Sequence, residues 1–202
     1  SNDRNNFYLS FGFLDDGGLV EGSGFKRTST RLKDEYKVNE WMKVGANLSY
    51  TYTKSYYPDL QTSEDSSSSG NAFATANRIA PIYPMYVRDA DGNFIYNQGR
   101  LTYDYGTIAD GTRDRSFMSI SNPAGQLQYD ISQYVMDIFS GNWYVNITPI
   151  DGLTLKAQWA LNVDNTNGNS LQNAYMGQFA SMGGAATQTH SRTYGWDQQY
   201  IA

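Results

Sequence analysis

The chain has 202 residues, a formal net charge of -5 and no cysteine, so it is long enough for one domain and has neither disulfides nor thiolate metal sites. Its 15 basic residues are spread along the sequence without forming a stripe, which argues against a nucleic-acid partner. No apolar run approaches the roughly 18 residues that a membrane helix needs, so a helical membrane protein is excluded. The mean hydropathy of -0.59 still allows a membrane β-barrel, because barrel strands alternate polar and apolar residues.

Two strands are predicted near the start of the chain, at residues 7–14 and 25–38. Successive side chains of a strand point to opposite faces, so a period of two gives each segment two different faces. The first strand has Phe7, Leu9, Phe11 and Phe13 on one face. One face of the second strand carries Arg27, Ser29, Arg31, Lys33, Glu35 and Lys37. Its other face carries Thr28, Thr30, Leu32, Tyr36 and Val38, with Asp34 as the exception.

The strand predicted at residues 42–54 has the length of a membrane strand. Its apolar face carries Val44, Ala46, Leu48, Tyr50 and Tyr52. From Trp41 to Tyr52 an extended chain rises by about 36 Å. Tilted by roughly 35–45°, such a strand spans the apolar band of a transmembrane barrel, which has aromatic residues at both edges.

Residues 55–133 show no sustained period and are predicted to be one very long loop. A connection of this length is functional or disordered, because most connections have about 4–6 residues. Residues 62–70 are rich in serine and are expected to be mobile. Residues 71–80 are expected to form a short helix that ends before Pro81. Residues 87–96 are expected to form a small hairpin around a type I′ turn at Asp91 and Gly92.

Three further strands are predicted at residues 138–148, 153–164 and 189–201. The middle one has the cleanest alternation in the chain, with Leu155, Ala157, Trp159 and Leu161 on one face. A tight turn at residues 149–152 precedes it, and a loop rich in glycine and asparagine at residues 165–186 follows it.

Short turns and long loops alternate along the chain. Bacterial outer-membrane barrels have this arrangement, with short periplasmic turns and long extracellular loops. The sequence therefore predicts an all-β fold: part of a large antiparallel transmembrane β-barrel, with residues 55–133 as an extracellular loop carrying the short helix and the small hairpin.

Several sequence blocks resemble the barrel of the SusC/RagA family of TonB-linked (TonB-dependent) outer-membrane transporters. The matching blocks are residues 7–12, 18–23, 41–45, 47–50, 69–73, 79–84, 87–93, 146–149 and 152–153. They occur in order over nearly the whole chain, and the stretch from Ala80 to Gly92 is the most specific. The resemblance implies a barrel fragment, because a plugged outer-membrane transporter has about 22 strands and the plug is not found here.

The resemblance also implies a function and partners. The intact protein is expected to import glycans or peptides across the outer membrane of a Bacteroidetes-type bacterium. Energy would arrive from the TonB complex through the plug, and a SusD-like surface lipoprotein would cap the barrel. Outer-membrane lipid would surround the wall. No cofactor and no enzymatic activity are expected.

Two sets of residues are candidates for contacts. The lipid-facing set is expected to comprise Val44, Ala46, Leu48, Tyr50, Tyr52, Leu155, Ala157, Trp159 and Leu161. The substrate- or partner-binding set is expected to comprise Tyr83, Tyr86, Tyr103 and Tyr105, since flat rings with polar tips stack on sugars or pack against proteins. The alternative for each of these tyrosines is packing of the loop on itself or a place in the outer aromatic girdle.

Catalytic and metal sites are weakly supported. Asp89, Asp91 and Asn93 alternate as calcium ligands do, but Arg100 stands where an EF-hand loop needs its bidentate acid, which favours a plain turn. The only histidine, His190, has no nucleophile-elbow motif near it. Acidic pairs such as Asp15 and Asp16 lie in polar turns, where nothing apolar would raise a carboxyl pKa for acid catalysis.

A second class of function also fits the composition. The same strands and tyrosines would suit a secreted, soluble β-sandwich that binds carbohydrate or acts as an adhesin. A sandwich would pack two sheets face to face and would present no outward apolar band.

Overall fold

The computed structural model describes residues 4–57, 76–77, 79–106, 122–175, 177 and 179–202. Most of them belong to one sheet of six long strands, all antiparallel to their neighbours. The long strands are β1 (Asn5–Gly17), β2 (Gly24–Lys37), β3 (Met42–Tyr56), β6 (Ile131–Ile150), β7 (Leu153–Gln172) and β8 (Ala185–Ile201). The smaller elements are β4 (Tyr96–Asn97), β5 (Arg100–Leu101), α1 (Pro123–Tyr129) and a 3-10 turn at Ala180–Met182.

The sheet has the simplest possible order, β1-β2-β3-β6-β7-β8, so the long strands adjoin in the order in which the chain makes them. The connections 38–41 and 151–152 lie at one end of the sheet. The longer connections 18–23, 57–130 and 173–184 lie at the other, which is called the loop end below. In the described part of the chain, no second sheet packs against this one, since the other sheet has only β4 and β5. The described residues therefore form one large sheet and not the two packed sheets of a β-sandwich.

A strand occurs at each of the six predicted places, but three strands extend at least four residues further toward the loop end than the sequence indicates. β6 begins at Ile131 instead of residue 138, β7 continues to Gln172, and β8 begins at Ala185. The prediction of a loop beginning at residue 165 is wrong, because Asn165 to Leu171 pair in register with β6. Their side chains are polar on both faces, so no alternation marks this stretch as a strand.

The long connection contains structure that the sequence only partly indicates. A bridge between Arg88 and Phe94 closes the predicted hairpin. Its turn is not type I′, because Gly92 has positive φ and Asp91 does not. The residue pair with φ values of 51° and 77° is Gln98 and Gly99, which join β4 to β5.

Helix α1 is absent from the sequence prediction, although Asn122 and Pro123 are an N-cap and first-turn signal. Residues 62–70 and most of 71–80, where the sequence predicts a mobile segment and a helix, lie outside the described residues. No helix among the described residues is long and apolar enough to cross a membrane.

Candidate functional site: a two-faced wall and the loop above it

One face of the sheet is apolar over much of its height, and it is called the apolar face below. The register places Val44, Ala46, Leu48, Tyr50, Tyr52, Leu155, Ala157, Trp159 and Leu161 on this face together. A row of paired residues crosses all six strands at Leu9, Leu32, Leu48, Gly141, Leu161 and Trp196. Many of the face's large side chains are exposed, including Phe11 at 71% and Leu9 at 59%. In water such a continuous apolar surface would aggregate.

The apolar band does not follow the hydrogen-bonded rows. On β7 it extends from Leu155 to Val163, whereas on β1 it extends from Phe7 to Phe13. Phe7 lies in the same row as Trp159, so the band is displaced toward the loop end as it crosses from β7 to β1. A level band on strands tilted by roughly 35–45° produces such a displacement.

Polar side chains mark the end of the band on the loop side. The hydroxyl of Tyr50 donates to the carboxylate of Asp137 there. Beyond this level β7 continues with Asn165, Asn167 and Asn169 on the same face, and His190 contacts Asn167 at 2.6 Å between Nδ1 and Oδ1. His190 therefore belongs to a surface pair with an asparagine, and the described residues include no cluster of three or more metal-ligating side chains.

The opposite face of the sheet is polar. On β3 this polar face presents Lys43, Gly45, Asn47, Ser49, Thr51, Thr53 and Ser55. The ring of Tyr144 lies over Gly45, and an added Cβ there would come within 2.5 Å of the ring. The hydroxyl of Tyr144 donates to Oε1 of Glu35 at 2.8 Å, so this side chain ties β6 to β2 across β3.

The polar face also brings cations together. Arg27, Arg31, Lys33, Lys37 and Lys43 all point to this side of β2 and β3, and they are called the basic stripe below. The expectation that basic residues form no stripe is therefore wrong for the folded chain. Arg31 Nε donates to Oδ1 of Asn47 at 3.0 Å, and Lys33 Nζ lies 3.6 Å from Oε1 of Glu35.

The long loop has a small aromatic core of its own. Tyr103 and Tyr105 are 7% and 1% exposed, and Tyr86, Ala124 and Tyr129 pack against them. Desolvation, followed by a hydrogen bond with Tyr86, raises the pKa of Tyr103 to about 12. Two of the four tyrosines predicted to contact a ligand, Tyr103 and Tyr105, thus pack the loop on itself, as the alternative interpretation has it.

A few polar side chains hold this loop in place. Asn122 Nδ2 donates to the carbonyls of Met85 and Asp104 at 2.9 and 3.0 Å, while its Oδ1 accepts from the amide of Gly125 at 3.2 Å. Asp130 Oδ1 accepts from the backbone and side-chain nitrogens of Asn173 at 2.9 and 2.7 Å. The first residue joins three segments of the loop, and the second pair attaches α1 to the end of β7.

The two faces of the sheet differ in burial near the loop end. Thr53, Ser55 and Ser132, which are on that face near the loop end, are buried. Ile131 and Lys54, which point to the other side at the same level, are more exposed. Near the loop end, these side chains of the polar face are therefore more covered than their neighbours on the apolar face.

In the turn at residues 89–93, the carboxylate of Asp89 accepts hydrogen bonds from residues of the same turn. Asp89 Oδ1 accepts from the amides of Asp91 and Asn93 at 3.0 and 2.8 Å. These bonds and that from the Asn93 side chain hold the pKa of Asp89 below its ordinary range. A carboxylate occupied in this way is a turn-former, as the plain-turn interpretation expects.

Several large apolar side chains of the loop remain exposed. They are Ile82, Met85, Phe94, Ile95 and Tyr96, with Ile82 83% and Tyr96 63% exposed, and this set is called the loop patch below. Tyr83 and Tyr86 are half-buried beside it. Tyr86 contacts the ring of Phe94 at 5.6 Å between centroids, which connects the loop patch to the aromatic core.

Comparison with known proteins adds sequence and fold relatives, although no family profile matches the chain. The TonB-dependent receptor P39 of Formosa agariphila is 23% identical over 166 residues, covering 81% of this chain and 13% of that protein. The TonB-dependent receptor P3 of the same organism is 22% identical over 191 residues, covering 95% of this chain and 17% of that protein.

Two solved structures have a fold similar to that of this chain. The RagAB peptide importer in its closed-closed state superposes with a TM-score of 0.62 and 22% identity, covering 98% of this chain and 20% of that one. A structure of the RagAB peptide transporter has a TM-score of 0.55 and 25% identity, covering 85% of this chain and 17% of that one. The chain fits a segment of a SusC/RagA-type TonB-dependent receptor barrel.

TonB-dependent receptors and RagAB are outer-membrane proteins of Gram-negative bacteria. The location of this chain is therefore the outer membrane. The chain spans at most a fifth of the length of the relatives just described. Their names describe receptors and importers and no enzyme.

Sequence reasoning missed two features of this sheet. The basic stripe was visible on β2 as alternating cations, but its extension by Lys43 needs the pairing of Lys37 with Lys43. The contact of Tyr144 with Gly45 joins residues far apart in the sequence, so only the register of β3 against β6 shows it.

Proposed function

We propose that the intact protein is a TonB-energised importer of glycans or peptides in the outer membrane, and that this chain forms part of its barrel wall and an extracellular loop. The observation that carries the proposal is the two-faced sheet, with an oblique apolar band on one side and a polar surface on the other. The relatives described above support the same class of protein. The RagAB relative is a peptide importer, which favours peptides as the cargo.

The two faces of the sheet would lie in different environments. The apolar face, with Val44, Ala46, Leu48, Tyr50, Tyr52, Leu155, Ala157, Trp159 and Leu161, would face lipid. The polar face would face the lumen, where a plug would receive the TonB complex. Lipid satisfies neither backbone donors nor acceptors, so a wall in the membrane needs every strand paired along both sides. This sheet is accordingly proposed as one portion of a closed barrel.

The proposed partner is a SusD-like surface lipoprotein, and the loop patch is the proposed contact. Exposed apolar side chains grouped at one place on a surface mark protein interaction sites. Ile82 and Met85, with 83% and 52% exposure, are the most accessible residues next to Tyr83 and Tyr86. The buried Tyr103 and Tyr105 would support this surface from below, and only Tyr83 and Tyr86 remain proposed as direct contacts.

Uptake by cells that carry the intact protein tests the importer proposal. Deleting the gene should abolish growth on one glycan or peptide source, and blocking TonB should do the same. Growth that continues on every such source after the deletion would contradict the proposal.

Copurification tests the partner proposal. The double variant Ile82→Asp/Met85→Asp should lose the lipoprotein, while the control Met182→Asp, in a different connection and 67% exposed, should retain it. Retention by both variants would show that the loop patch is not the contact.

A further inference from the structure

The basic stripe extends over the height of the wall. From Arg27 to Lys37 the strand β2 rises by about 33 Å, which at a tilt of roughly 35–45° projects to about 23–27 Å and matches the apolar band of roughly 25 Å. Neighbouring cations of the stripe are about 7 to 13 Å apart along the strand. The side chains of Arg27, Arg31, Lys37 and Lys43 are exposed on the polar face of this chain.

Carboxylates do not balance the stripe. On the polar face of β1 to β3 the described acidic residues are Asp16 and Glu35, against five cations. Glu35 is already engaged by Lys33 and by the hydroxyl of Tyr144. The polar face of β6 to β8 differs, since it carries Lys156, Asp164 and Asp197 and no row of cations. The positive charge is therefore segregated on β2 and β3 in a chain whose net charge is -5.

We propose that the basic stripe is a guiding surface for an anionic substrate, an oligosaccharide or peptide that carries several carboxylate or sulfate groups. A surface with one sign of charge next to low-dielectric walls concentrates ligands of the opposite sign. Arginine guanidinium groups bind carboxylates and sulfates through paired hydrogen bonds, and flexible lysines adapt to successive positions.

The row of cations is better suited to the passage of a substrate along the strand than to its binding at one fixed site. The cations follow the strand from the loop end to the opposite end, which is the direction in which an imported molecule would travel. Transport needs sites that are individually weak and repeated, so that the ligand enters and also leaves. Exposed side chains on one strand provide such repeated sites. This inference depends on the proposed import function and adds the chemical class of the cargo.

The test uses the intact protein with its membrane partner in vesicles and two pairs of labelled probes. One pair is an oligogalacturonate and a malto-oligosaccharide of equal length; the other is an aspartate-rich peptide and its asparagine counterpart. We expect at least one acidic probe to bind about tenfold more tightly than its neutral match. Raising the salt from about 50 to about 200 mM should remove much of the difference.

A triple variant, Arg27→Gln/Arg31→Gln/Lys33→Gln, should lower the affinity for the acidic probe by about tenfold and leave the neutral probe unchanged. The matched control, Lys26→Gln/Lys54→Gln, removes cations from the other face of the same two strands and should change neither affinity. Equal binding of the acidic and neutral probes in both pairs would overturn the inference.

Unchanged acidic-probe binding in the triple variant, with a lowered unfolding midpoint, would also overturn it, and would assign the stripe to an acidic face of the barrel-filling domain. Failure of the proposed function has a separate signature, because deletion of the gene would then leave growth on every nutrient intact.

Discussion

The sheet and the loop of this chain are stabilised in different ways. The buried hydrophobic residues of the described chain, Val87, Tyr103 and Tyr105, all lie in the loop, and none lies in the six long strands. The loop thus has an interior that its own side chains fill. The sheet instead has two surfaces that match two different environments. Substitutions in the sheet should therefore change stability through contacts with lipid or between strands. Substitutions in the loop should destabilise the loop alone.

The largest effect is expected from a charge on the apolar face. Leu48→Arg in the intact protein should reduce the free energy of unfolding in bilayers by about 2–4 kcal/mol, because the cation would lie near the membrane midplane. Urea unfolding of the protein in vesicles measures this free energy. Ser49→Arg, on the polar face of the same strand, is the control and should cost far less. Equal losses at the two positions would show that the faces do not differ in their surroundings.

The cross-strand contact of Tyr144 with Gly45 gives the next largest effect. Gly45→Val would displace the ring and break its hydrogen bond to Glu35, so unfolding should become easier by about 1–3 kcal/mol. The double variant Gly45→Val/Tyr144→Ala should recover part of this loss, since the small side chain leaves room. The same urea titration reports both, and a double variant worse than the sum of the single changes would contradict the packing argument.

A smaller and local effect is expected from Asn122→Ala. The variant loses three hydrogen bonds that join loop segments, and loss of a helix N-cap costs about 0.5–2 kcal/mol. Hydrogen exchange should become faster in α1 and in residues 85–105, while β3 and β6 keep their protection. Faster exchange throughout the sheet would mean that loop and wall unfold together.

The smallest effect is expected from protonation of Asp89. The pKa of this carboxyl is lower in the folded chain, so its contribution to the turn is present above the ordinary aspartate pKa and is lost as pH falls through the folded value. Amide exchange at Asp91 and Asn93, corrected for intrinsic rates, should lose protection as the pH is lowered below the ordinary aspartate pKa of about 3.9. Asp89→Asn should abolish this pH dependence, and a transition that persists in the variant would assign it to another group.

Alternation allowed most of the sheet to be predicted. On β3 and on the first half of β7, apolar residues lie on the apolar face and polar or small residues mostly lie on the other. The two-residue period therefore predicted both the strand and the face of each residue. The ends of β6 and β7 near the loop could not be inferred, since Asn165, Asn167 and Asn169 alternate with other polar residues. Where both faces meet water, hydrophobic periodicity carries no information about the strand.

The loop was less predictable for a different reason. Tyr83, Tyr86, Tyr103 and Tyr105 are the same residue type within one loop, and a tyrosine serves equally well in a core or at an interface. Their separation into two buried and two half-buried rings depends on contacts with α1, a helix the sequence prediction did not include. Gln98 likewise occupies a positive-φ position for which glutamine gives no signal.

The lengths of β6 and β7 have a consequence for access from outside the cell. Each strand has 20 residues, whereas crossing the bilayer takes about 9–11. In the proposed orientation, the surplus forms a rim that rises roughly 25 Å above the lipid, and its outer side, which carries Asn165, Asn167 and Asn169, meets water. Antibodies and proteases added to living cells would therefore meet backbone of β7 beyond Asn165, while the portion around Leu161 would remain shielded by the membrane.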